Sequence, residues 1–456
     1  MIDYKKKLVK ELSKNLRLEE DIIENLIEVP KEAYMGDFTL PCFKLVDKIE
    51  KSPIIIAREL KEQINSIYFE RTESVGAYLN FFIDKTYIIK EILKSNYIYK
   101  KNSGEESKSV VIEYYGINMD KISAIERVFL EISMQSLKRV FENQGYKIEY
   151  PNNMNEENNE ENIKNIIEDF KAKNLVTYEN GCEVILLDKY NMPPYIISNE
   201  GKINTINATI LNKATRYNRK CGYQKNIYII NSSQYTHFKQ LVKILEVSGY
   251  GNTKNYSCYK LGIVKILENN IFIRKDEFLS LDSLIEKFSA KILNYHNING
   301  ILYDSNTINK IVRDSIVFYY INNSNKKTIL FELDKIISYK EKNYIYVLNS
   351  YNRLKLLCGY LNENEEICNL NKKLLNEESK LIKILEDFPS VLNKCTVNLD
   401  LSILSRYIIE LINVLNDIYK ALNREELKLN KEKVVLIKSG CKIIKNTLDL
   451  IGIELL

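Results

Sequence analysis

The start of the chain carries apolar residues at helical spacing. Leu8, Leu12 and Leu16 recur every four residues, as expected for one face of a helix. Glycine and proline divide the following sequence into short segments, so this part is predicted to be an α+β unit. Its other elements are a predicted helix at 22–27, a short strand after the turn at 36–38, helices opening at Pro41 and Pro53, and a strand at 75–84.

The middle of the chain alternates between strand-like and helix-like patterns. A β-rich run at 110–114 precedes helical apolar spacing over 125–140, and a second short strand is indicated at 148–150. This strand–helix–strand order is the start of a parallel α/β sheet. Further strands are predicted at 184–187, 195–197, 227–230 and 261–266, with a helix at 237–246.

Two polar stretches interrupt the pattern. The sequence KKNSGEESKS links the first part to the second, and the Asn/Glu-rich residues 151–165 are interpreted as a flexible connector. From about residue 335 the sequence pattern is mainly helical. Between Leu401 and Ile418 the apolar positions alternate steps of three and four, which predicts a helical bundle. The chain is therefore divided into units at 1–105, 106–334 and 335–456.

Composition narrows the function classes. The 456 residues carry a net charge of +5, which permits nucleic-acid binding without indicating it. No apolar run is long enough to span a bilayer, so a cytoplasmic protein without membrane contact is expected. The eight cysteines form no Cys-x-x-Cys pair and are interpreted as small apolar fillers, so no metal site is expected. With only two histidines, far apart in the chain, any function that needs two neighbouring histidines from one local motif is excluded.

The order of motifs resembles arginyl-tRNA synthetase, a class I enzyme. IEYYGIN is similar to that family's Val-Glu-Tyr-Ser-Ser-Pro-Asn segment, and QYTHFKQLVKILEVSGY is similar to one of its helices. The other similar segments are MGDFTLPCFKL, SPIIIARELKEQI, GAYLNFFI, ENGCEVILLDKYNMPPYII, FELDKIISYKEKNYIYVLNSYNR, LSRYIIELINVLNDIY and IIKNTLDLIGIELL.

This resemblance implies a multidomain α/β + α fold. Residues 1–105 would be an N-terminal domain that contacts the elbow of tRNA, and 106–334 a Rossmann-like catalytic core. Residues 335–456 would be an all-α anticodon-binding-like bundle. The family's Gly-Asp-Trp-Gly stretch and most of its inserted subdomain have no counterpart, so a divergent and shortened paralogue is expected, with the shortening near 151–165.

The resemblance also locates the altered chemistry. The family binds ATP phosphates with a His-x-Gly-His motif at a helix N-terminus, and Ala124, Ile125, Glu126 and Arg127 stand at that motif. Both histidines are absent, and Glu126 places a carboxylate where phosphate is expected. The counterpart of the mobile Lys-Met-Ser-Lys loop keeps only Arg274 and Lys275, and it is interpreted as a strand with two solvated basic residues.

The arginine pocket is also altered. The family's Tyr-Ala-Thr-Arg-Asp segment corresponds to 206–210, where Ile210 or a neighbour replaces the aspartate that reads the guanidinium. Five side chains match substrate-binding positions, and each has a structural alternative such as capping, ion pairing or core packing. They are Glu113, Asn118, Lys121, Gln234 and His237.

The surfaces that face tRNA in the family are better retained. RNA contacts need basic groups for phosphates and aromatic rings for unstacked bases. Five side chains on the elbow-reading strand and on the anticodon-facing helix are candidates for RNA binding, each with a structural alternative. They are Asn80, Phe82, Tyr407, Asn416 and Tyr419.

Three hypotheses follow. The first is a catalytically inactive paralogue, expected to be a monomer, that binds tRNA or a tRNA-like RNA and acts by regulation or sequestration. Arginine tRNA is the foremost candidate partner, and DNA is not expected to bind. The second is an active arginine–tRNA ligase in which Arg127, Arg274 and Lys275 replace the lost phosphate ligands. The third is a scaffold for protein interaction without RNA binding. No cofactor is expected under the first hypothesis, and ATP with Mg²⁺ is needed only under the second.

Overall fold

The structure of the chain is a computed structural model. It describes residues 4–30, 32, 35–84, 109–115, 124–149, 160–221, 225–268, 271–273, 304–336, 338, 341–359, 376–421 and 431–455, and parts of 282–290. These divide into two compact units. One comprises Met1–Tyr97, Leu354–Glu386 and Asp417–Lys442, and the other comprises Ile98–Arg353, Asp387–Asn416 and Ile443–Leu456. The boundaries at 105 and 334 stay a prediction.

The N-terminal segment of the first unit is the predicted α+β arrangement. Its strands form an antiparallel sheet in the order β1-β3-β2. The turn before β1 needs Gly36, because its φ is +97° and a Cβ there would lie 2.8 Å from the Phe81 carbonyl oxygen. The elements are α1 (Tyr4–Leu16), α2 (Glu20–Leu26), β1 (Phe38–Pro41), a 3₁₀ turn (Cys42–Leu45), α3 (Val46–Ile49), α4 (Pro53–Gln63), β2 (Phe69–Val75) and β3 (Tyr78–Ile83).

The second unit begins with the predicted strand–helix–strand order and continues through further strands and helices. In chain order its elements are β4 (Ser109–Tyr114), α5 (Ala124–Asn143), β5 (Lys147–Glu149), α6 (Glu160–Ala172), β6 (Val176–Glu179), β7 (Cys182–Ile185), β8 (Tyr195–Asn199), β9 (Lys202–Ile203), α7 (Thr205–Cys221), β10 (Lys225–Asn231), α8 (Tyr235–Val247), β11 (Tyr256–Leu261), β12 (Ile263–Glu268), β13 (Ile271–Ile273), α9 (Ser305–Asn322), β14 (Thr328–Glu332) and α10 (Leu333–Ile336). Short 3₁₀ turns lie at Asp188–Tyr190, Ser232–Gln234 and Thr253–Asn255.

The predicted parallel sheet is confirmed. Its order is β11-β10-β4-β5, and all three pairings are parallel. The predicted strands at 184–187 and 195–197 do not join it, because β6 to β9 form a separate antiparallel meander. The strand predicted at 261–266 is two strands separated at Gly262, and β12 pairs with β13 and β14 in a third sheet.

The connector predicted at 151–165 is wrong over 160–165, and residues 151–159 lie outside the described residues. Helix α6 begins at Glu160, and its apolar side chains at Ile163, Ile166, Ile167 and Phe170 are buried in the core of the second unit. Their spacing of three, one and three residues is one helix face. The stretch was interpreted as a connector because its composition is rich in Asn and Glu, which also occupy the first turn of this helix.

The C-terminal part is helical, as predicted. Its helices are α11 (Tyr344–Cys358), α12 (Asn376–Glu386), α13 (Phe388–Asn398), α14 (Ser402–Lys420) and α15 (Lys431–Leu450). The apolar stripe of α14 is buried from Leu404 to Ile418, which confirms that its spacing reports core packing. Among the described residues, no helix is both long and apolar enough to cross a bilayer.

Candidate functional site

A cavity of about 290 Å³ lies in the second unit, where β10 and β11 end and α5 begins. Ligands of α/β proteins commonly bind at this edge, beyond the carboxyl ends of parallel strands. The cavity is therefore the candidate site. Its lining residues are Glu126, Phe129, Leu130, Asn231, Ser232, Ser233, Leu261, Gly262, Ile263, Val264 and Tyr320.

The first turn of α5 supplies the charged wall of the cavity. The helix begins at Ala124, Ile125 is buried, and the half-buried Glu126 lines the cavity. Arg127 is exposed. Because a helix N-terminus carries partial positive charge, it stabilises the Glu126 carboxylate. The helix end that could hold a phosphate therefore already bears a carboxylate in its first turn.

The wall at the end of β10 is held by hydrogen bonds. The Gln234 side-chain oxygen accepts from the Asn231 backbone N–H at 3.1 Å and completes a capping box. The Ser232 hydroxyl donates to the Leu261 carbonyl oxygen at 3.1 Å, which joins the ends of β10 and β11. Gln234 therefore has the structural role that was its alternative, and its binding of a substrate stays a prediction.

Gly262 allows the chain to pass from β11 to β12 beside the cavity. A Cβ at this position would lie 2.5 Å from the Lys326 carbonyl oxygen and 3.0 Å from the Ile329 side chain. Any side chain would push the turn away from β14. Phe129 and Tyr320 add apolar surface to the lining of the cavity, and their rings stack with centroids 4.4 Å apart.

His237 packs between aromatic rings. Its Nδ1 is 2.8 Å from the Tyr115 hydroxyl, and its ring stacks on Tyr195 with centroids 4.8 Å apart. Burial lowers the pKa of His237, which favours the neutral imidazole at neutral pH. These contacts support the structural alternative for His237, which is a packed and hydrogen-bonded histidine. Contact of His237 with a nucleotide stays a prediction.

Tyr115 is a residue that the sequence analysis passed over. It follows β4, is buried, and occupies the place of a serine in the family segment that IEYYGIN resembles. Its ring also contacts Tyr228 and Phe238 edge to face, at 5.6 and 6.0 Å. A large ring therefore fills space beside His237 that a serine would leave open.

The structure describes some of the other predicted site residues and leaves the rest outside the described part of the chain. Glu113 is half-buried on β4, opposite Tyr228 of β10. Residues 271–273 form β13, as the strand interpretation of the altered loop predicted. The remaining candidates lie outside the described residues. They are Asn118, Lys121, Arg274 and Lys275.

The segment at the arginine-reading position forms the first turns of α7. Ile206 is exposed, Ala208 is buried, and the Asn207 amide donates to the Ile196 carbonyl oxygen at 2.8 Å. No acidic residue occurs between Ile206 and Ile210. This segment therefore offers no carboxylate for a guanidinium.

Most of the predicted RNA-binding side chains are held inside their own units. Asn80 is 5% exposed and accepts a 2.6 Å hydrogen bond from the Thr39 hydroxyl. Phe82 is buried beneath the Arg71 guanidinium, 3.9 Å from the ring centroid. In this arrangement neither side chain is open to a base, because each is covered by its own sheet.

The same holds on α14. Tyr407 is buried and packs against the Phe388 ring at 5.5 Å. Asn416 is 5% exposed and accepts a 2.7 Å hydrogen bond from Arg353. Tyr419 is half-buried. The structural alternative accounts for Tyr407 and Asn416, and RNA binding by Tyr419 stays a prediction.

Comparison with known families matches nearly all of the chain. Residues 3–83 match the arginyl-tRNA synthetase N-terminal domain, 93–319 match the catalytic domain of class I tRNA synthetases (R), and 347–456 match the DALR anticodon-binding domain. The predicted loss of length therefore removes none of these three domains.

Relatives align from end to end. The arginine–tRNA ligase of Clostridium botulinum (strain Alaska E43 / Type E3) is 28% identical over 559 aligned positions, which cover 99% of each chain. That of Clostridium kluyveri is 27% identical with the same coverage. Since this chain has 456 residues, part of the alignment consists of internal gaps on its side.

Solved structures share the fold. Thermus thermophilus arginyl-tRNA synthetase superposes with a TM-score of 0.68 and 14% identity, covering 94% of this chain and 95% of that one. The Plasmodium falciparum enzyme superposes with a TM-score of 0.64 and 13% identity, covering 98% of each chain. The predicted multidomain architecture, with a parallel-sheet core and a helical C-terminal part, is confirmed.

Proposed function

This chain belongs to the arginyl-tRNA synthetase family, and we propose that it is a member that binds tRNA without charging it by the family's chemistry. The observation that carries the proposal is the Glu126 carboxylate in the first turn of α5, which lines the cavity at the carboxyl ends of β10 and β11. The motif that the family places at this helix end binds phosphate, and a carboxylate opposes that binding.

The electrostatic effect is large enough to matter. Two like unit charges 4 Å apart repel by about 1 kcal/mol in bulk water and by about 4 kcal/mol near a partly buried site. ATP brings several phosphate charges, and the imidazoles that would offset them are absent from this turn. Arg127 carries the nearest opposite charge in the sequence, but its side chain is exposed.

The amino-acid side of the site supports the same proposal. Tyr115 and Tyr195 enclose His237, and the segment from Ile206 to Ile210 has no carboxylate. A guanidinium taken out of water without a paired carboxylate is strongly disfavoured. Both substrates of the first reaction therefore meet unfavourable surroundings.

Binding of tRNA is proposed from the matched N-terminal and DALR domains. The N-terminal sheet offers a better aromatic surface than the buried Asn80 and Phe82. The Phe43 and Tyr78 rings pack edge to face at 5.6 Å and are 45% and 43% exposed. Exposed rings of this kind stack on unpaired bases.

The RNA-binding part is tested by filter binding with arginine tRNA and bulk tRNA at several salt concentrations. We expect a preference for arginine tRNA and an affinity that falls steeply with salt, because phosphate contacts release counterions. Y78A should weaken binding several-fold, whereas Y178A, which removes another exposed tyrosine, is the matched control. Equal binding of both tRNAs at every salt concentration would favour the protein-interaction scaffold instead.

An active arginine–tRNA ligase is the second candidate. The comparisons taken alone favour it, because the relatives that match from end to end carry that name. Under this candidate Arg127, Arg274 and Lys275 would contact the phosphates. Mg²⁺ is the group that lets a carboxylate and a phosphate share one site. Among the described residues that line the cavity, Glu126 offers the one carboxylate, so no reaction step is assigned through the metal.

Pyrophosphate exchange with ATP and each amino acid separates the two candidates. We expect no exchange above background with arginine, with or without tRNA, and robust exchange would establish the ligase. The triple variant A124H/E126G/R127H rebuilds the motif at the start of α5. It should recover little exchange, because the arginine-reading segment is still altered. Substantial exchange by that variant would show that the motif alone had silenced the site.

A further inference from the structure

A second cavity, of about 310 Å³, lies in the second unit between helix α6 and one face of the meander from β6 to β9. Each of the four strands contributes one side chain, and the strand pairing aligns these four in a single row. The row consists of Tyr178, Glu183, Ser198 and Ile203. Among the described residues, this cavity shares no lining side chain with the cavity beside the start of α5, so the two are separate sites.

Helix α6 forms the opposite wall of this second cavity. It contributes four positions of one helix face, since residues three, four and seven apart are neighbours on a helix surface. They are Lys164, Ile167, Glu168 and Lys171. Ile167 is buried, whereas Lys164 and Glu168 are exposed. The wall therefore combines charged groups that reach solvent with an apolar side chain behind them.

Contacts between the helix and the row order the charged groups. The Lys171 ammonium lies 3.0 Å from one oxygen of Glu183, and the Ser198 hydroxyl donates to the other oxygen at 2.9 Å. Lys171 also lies 3.2 Å from Glu168. The hydrogen bond from Lys171 lowers the pKa of Glu183, which keeps this carboxylate ionised at neutral pH. Because each carboxylate oxygen has two lone pairs, Glu183 can accept from a ligand as well.

The balance of charge around the second cavity indicates the class of ligand. Among the described residues that line it, ammonium and carboxylate groups are equal in number, two of each. A nucleotide or an RNA strand brings negative charge that two carboxylates would repel. A ligand with one group of each sign is complementary to such a lining. The volume is at the low end of the range for ligand pockets, about 300–1,000 Å³, so the ligand is a small molecule.

We propose that this second cavity binds a free α-amino acid with an apolar side chain. The ligand carboxylate pairs with the Lys164 ammonium, and the ligand ammonium donates to Glu168 and Glu183. The ligand side chain packs against Ile167 and against the Tyr178 ring, which is 69% exposed. Binding requires neither ATP nor tRNA, so this site goes beyond the proposed function and does not depend on it.

Saturation-transfer NMR with leucine tests the proposal on the full-length protein, without ATP or tRNA. Saturation transferred to the leucine methyl groups should reach a plateau at millimolar leucine. Leucine methyl ester lacks the carboxylate, and N-acetyl-leucine lacks the ammonium. Each derivative should bind several-fold more weakly than leucine, because each loses one of the two charged contacts. A peptide N-terminus also lacks the adjacent carboxylate, so weak binding of the ester separates a free amino acid from a peptide.

Variants of α6 locate the binding. Lys164→Gln and Glu168→Gln should each weaken leucine binding several-fold. Their matched controls are Lys202→Gln and Glu179→Gln, which neutralise exposed residues of the meander that are adjacent in sequence to lining residues. Both controls should leave the affinity unchanged. Since all four residues are exposed, the variants are expected to fold.

Three results would overturn the proposal. The first is the absence of saturable transfer to leucine at millimolar concentrations. The second is leucine binding that neither Lys164→Gln nor Glu168→Gln weakens, which would place the ligand elsewhere on the protein. The third is equal binding of leucine and its two blocked derivatives, which would show that apolar contact alone holds the ligand.

Discussion

Asp314 is the most deeply buried carboxylate that the structure describes with a resolved partner set, and its replacement by asparagine gives the sharpest stability prediction. The side chain lies on α9 and has no exposed surface. The Arg313 guanidinium is 3.2 Å from one carboxylate oxygen, and the Tyr344 hydroxyl donates to the other at 3.4 Å. Burial outweighs these partners and raises the pKa of Asp314 to about 6.

The direction in which Asp314 changes folding stability with pH follows from its pKa in the unfolded and in the folded chain. The unfolded chain releases this proton near pH 4, whereas the folded chain retains it until about pH 6. The ionised carboxylate therefore lowers the stability of the fold, with a cost that grows between these values and is complete above them. A shift of about two pKa units corresponds to about 3 kcal/mol at neutral pH, since one unit is worth about 1.4 kcal/mol.

Asp314→Asn removes the charge and keeps an oxygen that accepts from Tyr344. At pH 7.5 the variant should be more stable by up to about 3 kcal/mol, less the contribution of the half-exposed Arg313. Because 1 kcal/mol shifts the midpoint by roughly 2–4 °C in a unit of this size, several degrees are expected. At pH 4 the two proteins should unfold together.

The assay is thermal unfolding followed by circular dichroism at four pH values from 4 to 7.5. Arg313→Gln is a useful control, because it removes the partner and retains the carboxylate; its midpoint at pH 7.5 should fall. A variant that is less stable than wild type at pH 7.5, or a difference that does not depend on pH, would refute the reasoning.

Three further predictions concern single contacts. Gly262→Ala should destabilise the second unit by about 1–3 kcal/mol in denaturant titration, because its Cβ would lie 2.5 Å from the Lys326 carbonyl oxygen; an unchanged midpoint would show that the turn yields freely. In an NMR titration, the pKa of His237 should be below 6.5, since burial disfavours the imidazolium. The folding stability that the neutral histidine provides is therefore lost as pH falls. A pKa above 6.5 would contradict the packing of this side chain. Glu378→Gln should destabilise the fold by about 3–5 kcal/mol, because it leaves the Lys433 ammonium, 14% exposed and 3.5 Å away, without its carboxylate; a neutral result would mean that this charge is solvated.

The sequence predicted the elements whose signals are local. Apolar spacing located α5 and α14, and the β-rich runs located β4 and β10, because burial of one face leaves a period in the chain. Helix α6 was missed at its start, where Asn and Glu outnumber the buried Ile163 and Phe170. The antiparallel meander from β6 to β9 was also missed, since the length and composition of a strand do not specify its partner.

The site was predictable only where it lies in one segment. Glu126 stands within a linear motif, so its place at the start of α5 could be inferred from alignment. The contact between Tyr115 and His237 joins positions 122 residues apart, and no local pattern reports it. Asn80 and Asn416 were candidates for RNA binding because they lie on segments that resemble the family's elbow-reading strand and anticodon-facing helix. Hydrogen bonds from distant partners retain both in the interior.

The central claim is that the cavity beside the start of α5 no longer accepts a nucleoside triphosphate. Equilibrium dialysis of radiolabelled ATP against the purified protein, with and without millimolar Mg²⁺, measures this most directly, and Glu126→Gln tests the charge at constant shape. We expect no saturable binding by the wild type under either condition, and weak binding to emerge in E126Q. Saturable, Mg²⁺-dependent binding by the wild type that is unchanged or lost in E126Q would contradict the account.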